Sequence, residues 1–275
     1  MLEHNRVLFV AWQDPSSRRF YPVARLSWLG DNEADALYEF AYIQGAWEAR
    51  SIGFQPFLSF PNFDQLYLGR QLFPLFANRL MSPKRADYPQ YVRRLGLDLA
   101  SSTGFEVLGR SGGRRTTDAI EVFSLPTLDP ESGTYRTYFF AHSLRYLAPA
   151  SQEKIEKLAL GDQLLLMHDM QNPVDPSAVA LRTDDYLLAG FIPAYLTELA
   201  HHFLRDCGVV TVSVERLNVH PAPIQQRLLC RWESLCPPRF ALSSIRRYLP
   251  IPKDATVGPF VETGRELPTH EEVAG

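Results

Sequence analysis

One amphipathic helix in the second half of the chain most constrains the fold. Pro193 stands where a helix can begin without a backbone N–H, and Gly208 stands where such a helix can end. Between them, apolar side chains recur every three or four residues at Leu196, Leu199, Ala200, Phe203 and Leu204. This spacing places them on one face of the helix, and that face needs an apolar surface to cover it.

The segments on both sides of this helix are typical of short β-strands. Val210, Val212 and Val214 alternate with polar residues, which predicts a strand with one buried side. A short helix with Ser151 as its N-cap is also predicted, and Thr183-Asp184-Asp185 has the composition of a hairpin turn. The predicted strands are residues 138–144, 163–168, 177–182, 186–191, 210–215 and 226–232. Five or more strands with one long packed helix predict a small, partly open β-barrel of the OB-like kind.

The first part of the chain has a different pattern. Three short segments rich in aromatic and β-branched residues alternate with turn-forming residues, and helical spacing of apolar residues follows them. We expect strands at residues 6–12, 21–28 and 37–43, and short helices near 72–80, 88–97 and 105–108. The first unit is therefore predicted to be a small antiparallel sheet covered by short helices, and the whole chain to be an α+β protein.

Changes of composition divide the chain into two domains. The first is expected to span residues 1–126, and a segment rich in Pro, Asp, Ser and Gly predicts a linker at 127–134. The barrel is expected to span residues 135–235. Residues 236–275 are expected to form an extended, partly disordered tail. From about Pro250 to Gly275 there are few large apolar side chains, which predicts disorder or a strap laid over another surface.

Three motifs occur in order between Phe139 and Arg205: FFAHSLRYL, HDMQNPVDPSAVAL and LLAGFIPAYLTELAHHFLRD. In this order they resemble a HIRAN domain. The resemblance implies a HIRAN-type barrel that holds the terminal nucleotide of single-stranded DNA with a free 3′ end. It also implies that the nucleotide-facing positions include Arg145 with Tyr146 and the turn from Asn172 to Asp175.

Each of these residue types has a chemical use at such a site and an ordinary structural alternative. Asn172 can donate to and accept from a base, and Asp175 can accept from a 3′-hydroxyl, although both also suit an Asx turn around Pro173. Arg145 can clamp a phosphate and Tyr146 can stack on a base, or both can be residues of the barrel rim. Phe191 is either a stacking platform or a buried residue.

The chain departs from the HIRAN pattern at several positions. Leu147 and Val174 stand where the family carries aromatic residues, and Phe191 and Ala194 stand where DNA-binding members often carry His and Lys. Between residues 135 and 235 there are nine basic and eleven acidic side chains. A domain with this balance must hold nucleic acid by shape, end groups or stacking rather than by its net charge.

The first unit resembles the N-terminal subdomain of HipA-type toxin kinases. The resemblance rests on YPVARLSWLG, LYEFAYIQG, LFPLFANRLMSPKR, GFEVLGRSGGRR and the strand EVFSLP. In those kinases this subdomain precedes a catalytic body, and the chain after Pro126 has neither a Gly-rich loop followed by Lys nor a catalytic aspartate at suitable spacing. We therefore expect no phosphoryl transfer and no enzymatic activity.

Basic residues are concentrated in the first unit. From Arg79 to Arg115 there are eight basic and three acidic side chains. Arg110, Arg114 and Arg115 flank a Gly-Gly pair, which predicts a flexible loop whose backbone N–H groups and guanidinium groups bind phosphates. The alternatives are a solvated surface loop and a glycine that merely ends a helix.

The cysteines and histidines do not predict a cofactor. Cys207, Cys230 and Cys236 are odd in number, so reduced core thiols are expected rather than a disulfide framework. Their spacing relative to His201 and His202 does not match a zinc site, so no metal and no other cofactor is expected. No stretch approaches the ~20 apolar residues that span a bilayer, and the N-terminus lacks the order of an export signal. A bacterial-type cytoplasm is therefore expected.

Together these features predict a non-catalytic DNA-binding protein. The DNA, as single strands or ends, would be bound by the HIRAN-like barrel and by the basic loop of the first unit. The alternative is a protein-interaction module, related to toxin–antitoxin systems, that docks or regulates a separately encoded HipA-like kinase body or a helicase or nuclease. Its candidate anchors are the aromatic side chains of Trp28, Trp47, Phe57 and Phe73.

Overall fold

A computed structural model of the protein describes residues 7–30, 35–237, 240–242 and 245–251. Within these ranges the chain forms two antiparallel sheets and six α-helices, which confirms the predicted α+β class. None of the described helices is long and apolar enough to cross a membrane. The disorder predicted for the tail after residue 251 lies outside the described residues.

The first sheet has five antiparallel strands. They are β1 (Val7–Gln13), β2 (Phe20–Leu29), β3 (Leu37–Tyr42), β4 (Tyr67–Gly69) and β5 (Ile120–Phe123). Their order in the sheet is β4-β3-β2-β1-β5, so the predicted meander of the first three strands is confirmed. Aromatic rings fill the space beneath it: Phe40 stacks on Phe60 with 3.8 Å between ring centroids, and Tyr42 packs edge-on against Phe40 at 5.2 Å.

Short helices cover this sheet, as the sequence predicts, although the first two predicted helices are shorter than expected and the third is longer. They are α1 (Gly45–Ser51), α2 (Pro74–Ala77), α3 (Tyr88–Arg94) and α4 (Gly104–Ser111). A capping box begins α4, because Thr103 accepts from the Glu106 N–H while the Glu106 carboxylate accepts from the Thr103 N–H. Gly112 ends α4 in the left-handed conformation, with φ of 75°. The glycine is thus a helix cap, and Arg110 belongs to the last turn of α4 rather than to a flexible loop.

The second sheet has seven antiparallel strands in the order β10-β9-β8-β11-β12-β7-β6. They are β6 (Thr127–Asp129), β7 (Thr134–Phe140), β8 (Gln163–His168), β9 (Val179–Arg182), β10 (Leu188–Phe191), β11 (Thr211–Leu217) and β12 (Leu228–Leu235). Two helices accompany them, α5 (Pro149–Ile155) and α6 (Ala194–Asp206). Ala148, not Ser151, is the N-cap of α5, because Pro149 takes the first helical position where a missing N–H costs nothing.

The second sheet curls into a barrel that stays open. His142, two residues after β7, pairs with Phe191 of β10 through two backbone hydrogen bonds of 2.9 and 3.1 Å. Among the described residues this isolated bridge joins β10, an edge strand, to the segment that follows β7. Gly190 makes the approach possible, because its φ is 120° and a Cβ there would lie 2.9 Å from the His142 carbonyl oxygen. The predicted partly open barrel is therefore present without full closure.

The predicted long helix fills this barrel. The apolar face of α6 carries Leu196, Leu199 and Phe203, all at most 1% exposed. The Phe203 ring packs edge-on against the fully buried Trp232 of β12, with 5.3 Å between ring centroids. Burial of this face against the sheet is what stabilises a helix of such length.

Residues 127–134, predicted to be a linker, form a β-hairpin with β7 instead. The N–H of Gly133 donates to the carbonyl of Asp129 at 2.8 Å and closes the turn. Linkers and tight turns share the same Pro, Asp, Ser and Gly residues, so composition does not distinguish them. The hydrophobic core is also continuous across this point, because Phe9 and Phe123 of the first sheet pack with residues of the second.

The end of the described chain returns to the first sheet. Gln44 donates its N–H to the Leu249 carbonyl at 2.8 Å, and Ile251 donates to the Tyr42 carbonyl at 2.9 Å. The Tyr248 ring is buried edge-on against Phe9, with 5.3 Å between ring centroids. Residues 245–251 thus form a strap over the first sheet. The disorder or strap predicted from about Pro250 onward falls almost entirely outside the described residues, which end at Ile251.

The expectation of three reduced thiols is wrong for two of the cysteines. Cys207 and Cys236 form a disulfide, and Cys230 is a buried free thiol. Cys207 follows α6 and Cys236 follows β12. The two residues are 29 positions apart in the sequence. The antiparallel pairing of β11 with β12 brings them together, because it places Thr211 opposite Glu233. An odd number of cysteines therefore says nothing about which two can pair.

Candidate nucleic-acid interface

A groove with a volume of about 400 Å³ lies where the first sheet meets α6. One wall is the β1–β2 turn with the start of β2, and the opposite wall is the β8–β9 loop with the exposed side of α6. The charged and histidine side chains that line it are Arg18, Arg19, Arg205, Arg247, Asp175, Glu198, His201 and His202. Four arginines against two carboxylates make its lining basic, although the barrel as a whole carries more acids than bases.

The β1–β2 turn is held by one carboxylate. Asp14 is buried, and its side chain accepts from the Ser16 N–H at 3.1 Å, from the Ser17 N–H at 2.9 Å and from the Ser17 hydroxyl. These hydrogen bonds, chiefly the one from the Ser17 hydroxyl, lower the pKa of Asp14 below its ordinary value. The turn ends with Arg18 in the left-handed conformation, at φ of 62°, and then Arg19. Both arginines are exposed.

The β8–β9 loop contains the Asn-Pro-Val-Asp segment. Oδ1 of Asn172 accepts from the N–H groups of Val174 and Asp175 at 3.0 and 3.1 Å, and its amide nitrogen donates to Asp169 at 3.1 Å. The Asp175 carboxylate accepts from the Ser177 N–H at 2.9 Å and also lines the groove beside the exposed side chain of Val174. Asn172 is thus occupied by the turn, as its structural alternative predicts, whereas Asp175 both holds the loop and faces the groove.

Two histidines attach this loop to α6. Nε2 of His168 lies 2.9 Å from the Pro176 carbonyl oxygen, and Nε2 of His201 lies 2.8 Å from the Ser177 carbonyl oxygen. Their rings meet edge to face, with 4.7 Å between centroids. Because each ring is close to a backbone carbonyl, these histidines fix the position of the loop that carries Asp175.

The arginines on the other side of the groove already have ionic partners. Arg247 pairs with Glu48 of α1 and with Glu198 of α6, so it connects the strap to both units. Arg205 forms two hydrogen bonds with Asp206, at 2.8 and 2.9 Å, and contacts His202. Burial, and then the charge of Arg205, lower the pKa of His202, so this ring is neutral near pH 7.

Arg145 and Tyr146 lie outside this groove. They occupy a short 3-10 helix, Leu144–Tyr146, that follows β7. Tyr146 is 80% exposed, and the Arg145 guanidinium lies 5.9 Å from its ring centroid. Within the described residues no hydrogen bond, ion pair or ring contact joins this pair to Asn172 or Asp175. The two motif segments therefore present separate surfaces.

Phe191 is used by the barrel itself. It belongs to β10, is half-buried, and both its N–H and its carbonyl bond to His142. Its ring does not line the groove. The two aromatic rings of the groove that contact one another are Phe20 of β2 and Tyr195 of α6, with 5.8 Å between ring centroids.

The three arginines predicted near the Gly-Gly pair do not form one basic surface. Arg110 packs over the Tyr138 ring at 4.0 Å and donates to the Leu95 carbonyl at 3.1 Å, and burial lowers its pKa to about 10. Arg114 is half-exposed and pairs with the buried Glu121 at 3.2 Å. Arg115 is exposed. A local excess of basic residues was read as a surface, but two of these side chains are used at the contact between the sheets.

Behind Tyr195, a cluster of ionisable groups lies where the two sheets meet. Burial raises the pKa of Glu121 to about 7, and the nearby Arg114 lowers it in part. Burial also lowers the pKa of His142 to about 4, with Arg114 acting in the same direction. The rings of His142 and Tyr195 lie edge to face, with 6.1 Å between centroids, and burial and Glu121 raise the pKa of Tyr195.

A second, smaller pocket lies on the first unit, away from the groove. It has a volume of about 310 Å³, and Trp47, Arg50, Pro56, Pro61 and Phe63 are among its lining residues. Trp47 is 38% exposed and stacks on Phe63, with 5.0 Å between ring centroids. The other aromatic anchors named from the sequence differ: Trp28 and Phe73 are buried in the core of the first unit, and Phe57 is half-buried.

Sequence reasoning missed most of the groove. Of its lining, only Asp175 was among the predicted nucleic-acid-binding residues. Arg18 and Arg19 lie between the first two predicted strands, in a segment that the sequence indicated only as turn-forming, and no sequence signal showed that this turn faces α6. Within the described residues no group of three or more His, Cys, Asp or Glu side chains is arranged to hold a metal ion.

Comparison with known proteins gives two distant structural neighbours. No protein-family model matches the chain, and no curated protein matches it. One solved structure, a protein from Lactobacillus plantarum determined by a structural genomics consortium, is 19% identical, with a TM-score of 0.29, and the match covers 37% of this chain and 99% of that one. The HIRAN domain of human HLTF is 15% identical, with a TM-score of 0.26, and the match covers 37% of this chain and 73% of that one.

Proposed function

We propose that the protein binds single-stranded DNA or DNA ends in the groove between the first sheet and α6, without catalysing a reaction. The observation that carries the proposal is the basic lining of this groove next to the loop that bears Asp175. The ordered HIRAN-like motifs of the sequence support the choice of DNA, because the resemblance implies contact of this loop with a terminal nucleotide. The exposed Tyr146 beside Arg145 supplies a further surface on which a base can stack.

The carboxylate of Asp175 makes the proposal specific for the end of the strand. A carboxylate accepts a hydrogen bond from a 3′-hydroxyl but repels a 3′-phosphate. A fluorescently labelled oligonucleotide of roughly 12 nucleotides, a length within the usual site size of single-strand binders, should therefore bind more tightly with a free 3′-hydroxyl than with a 3′-phosphate. Fluorescence anisotropy of the two oligonucleotides, titrated in parallel, measures the difference.

Asp175→Asn is the informative variant for this experiment. Its side-chain oxygen can still accept from the Ser177 N–H, so the loop should keep its shape, while the negative charge is lost. We expect the preference for the 3′-hydroxyl to shrink and overall affinity to hold or improve. No binding of either oligonucleotide by the wild-type protein at low salt would refute the proposed function. If the wild type binds both oligonucleotides equally, the proposal of DNA binding stands and the proposal of 3′-end recognition is refuted.

The absence of catalysis is part of the proposal and has its own test. Labelled single-stranded and duplex oligonucleotides, incubated with the protein and Mg²⁺, should remain intact on a denaturing gel. Cleavage that co-purifies with the protein, and that Asp175→Asn alters, would contradict a purely binding role.

A second candidate function, docking of a HipA-like kinase body, is favoured by the pocket at Trp47. Leu58, in the segment between the pocket residues Pro56 and Pro61, is fully exposed, and exposed apolar and tryptophan side chains are typical of interaction sites. A kinase body of this type that lacks its own N-terminal subdomain should co-elute with the protein in size-exclusion chromatography. Trp47→Ala should abolish co-elution, and separate elution of the wild type would exclude this partner.

A further inference from the structure

We propose that the β1–β2 turn of the first sheet is a phosphate clamp, in which Arg18 and Arg19 hold the backbone of a strand lying in the groove. This inference rests on the proposed function and assigns the backbone contacts to a unit outside the barrel. Its ligand is the phosphodiester chain itself. The binding site is then composite, with one wall from each sheet.

The first argument is that two of the four arginines in the groove lack an ion-pair partner. Arg205 and Arg247 are paired with carboxylates, so their charge is largely balanced. Arg18 and Arg19 are exposed, and neither forms an ion pair with any residue in the described ranges. Two adjacent guanidinium groups without carboxylate partners are the part of the lining most available to an anion. Each can also bind a phosphate with two parallel hydrogen bonds.

The rigidity of the turn is the second argument. Besides the contacts of the Asp14 carboxylate, the Asp14 carbonyl accepts from the Arg18 N–H at 2.9 Å, and the Asp14 N–H donates to the Arg19 carbonyl at 2.9 Å. Gln13 Nε2 donates to the Arg18 carbonyl at 2.8 Å. The backbone of both arginines is therefore fixed before any ligand binds, which lowers the entropy lost on binding.

The position of the turn is the third argument. Phe20 follows Arg19 directly and contacts Tyr195 on α6, so the turn is held at the edge of the groove. Val174 and Asp175 form the facing wall. A strand that ends at Asp175 must pass between these walls, where its phosphates meet Arg18 and Arg19 and its bases meet the aromatic rings.

The salt dependence of binding tests the clamp. On single strands, each phosphate contact contributes a slope of about 0.7 to the fall of log affinity with log salt. Loss of two contacts should therefore reduce the slope by about 1.4 and weaken binding about 25-fold near 0.1 M salt, with little difference near 1 M. The variant is Arg18→Asn with Arg19→Gln, because asparagine tolerates the left-handed conformation at position 18.

Lys84→Gln with Arg85→Gln is the matched control. These two residues are also adjacent, basic and exposed on the first unit, and they do not line the groove, although Arg85, unlike Arg18 and Arg19, pairs with a carboxylate, that of Asp87. Thermal melting followed by circular dichroism verifies that both double variants are folded. If the Arg18/Arg19 variant binds with the affinity and the salt slope of the wild type, the clamp is overturned and the proposed function stays intact. Failure of the wild type to bind would overturn both, and an equal loss in the control would mean that the charge effect is not local to the groove.

Discussion

Glu121 and His142 give the fold opposite dependences on pH, and two substitutions can separate them. Both groups lie in the cluster where the two sheets meet, and Arg114 and Tyr195 are the charged or titratable groups near them. Glu121→Gln removes a buried acid with little change of shape, and His142→Asn removes a half-buried base. The quantity to compare is the free energy of unfolding of each variant as a function of pH.

The sign and size of each effect follow from the pKa values. Glu121 has a pKa of about 7 in the fold against 4.5 ordinarily, so its contribution is fully present below pH 4.5 and is lost as the pH rises through about 7. At ~1.36 kcal/mol for each pH unit, the loss is about 3 kcal/mol. His142 has a pKa of about 4 against 6.5, so its contribution is present above pH 6.5 and is lost as the pH falls through about 4. Since part of His142 still reaches water, we take this loss as about 2 kcal/mol.

As far as these two groups are concerned, the free energy of unfolding of the wild type should therefore change little between pH 4 and 7, because one effect offsets the other. Glu121→Gln should lose about 2 kcal/mol as the pH falls across this window, and His142→Asn should lose about 3 kcal/mol as it rises. Urea unfolding followed by tryptophan fluorescence, at several pH values with the disulfide intact, measures both curves. The exposed Glu131 supplies the control variant Glu131→Gln.

Parallel curves for both variants and the wild type would refute this reasoning. Such a result would mean that water reaches Glu121 and His142, and that the contact between the sheets is not the closed one described above. If only one variant differs from the wild type, only the residue replaced in that variant lies in a closed environment. The midpoint of the change, not only its size, is informative, because it should lie between the ordinary and the perturbed pKa of the remaining group.

Two further substitutions and the reduction of the disulfide test the fold. Gly190→Ala should destabilise the protein by about 2 kcal/mol or more, because a Cβ would press on the His142 carbonyl at a positive φ, and hydrogen exchange should report faster opening of the Phe191 N–H. Arg110→Ala should cost about 2 kcal/mol in urea unfolding by leaving the Leu95 carbonyl without its donor, whereas a cost near zero would mean that this arginine is not buried. Reduction of the disulfide, which closes a segment of 29 residues, should lower the unfolding free energy by about 3 kcal/mol, and a urea midpoint unchanged by reductant would refute the pairing.

Much of the fold could be predicted from local pattern. The α6 helix follows from its apolar spacing and from Pro193 and Gly208, and the β1–β3 meander follows from short apolar runs separated by turns. Both depend on neighbours within a few residues, which a sequence displays directly. The hairpin at residues 127–134 depends instead on the pairing of β6 with β7, and the Cys207–Cys236 pair depends on the pairing of β11 with β12, neither of which a sequence displays directly.

The groove shows the same limit more clearly. Its lining comes from four separate stretches of chain, at residues 18–22, 174–177, 194–205 and 247. Each stretch taken alone has an ordinary structural explanation, as a turn, a loop, a helix face or a tail residue. The packing of α6 on β2 brings these stretches together around one groove. Asp175 was predicted because it belongs to a motif that resembles the HIRAN family. Arg18 and Arg19 belong to no such motif, and they were therefore not predicted.

The arginines of the first unit show why a count of charges does not by itself locate a basic surface. Arg79 is buried, pairs with Asp118 at 2.5 Å and donates to the Gly113 carbonyl at 2.8 Å. Arg110 and Arg114 are likewise held by groups of the fold. A guanidinium group carries five donors and an apolar stem, so it can join distant backbone segments as readily as it can bind phosphate. The hydrogen bonds and ion pairs of these three arginines are made to the protein itself. Arg18 and Arg19, in the short turn before β2, are exposed and form no ion pair with the described residues, and the proposed clamp therefore rests on them.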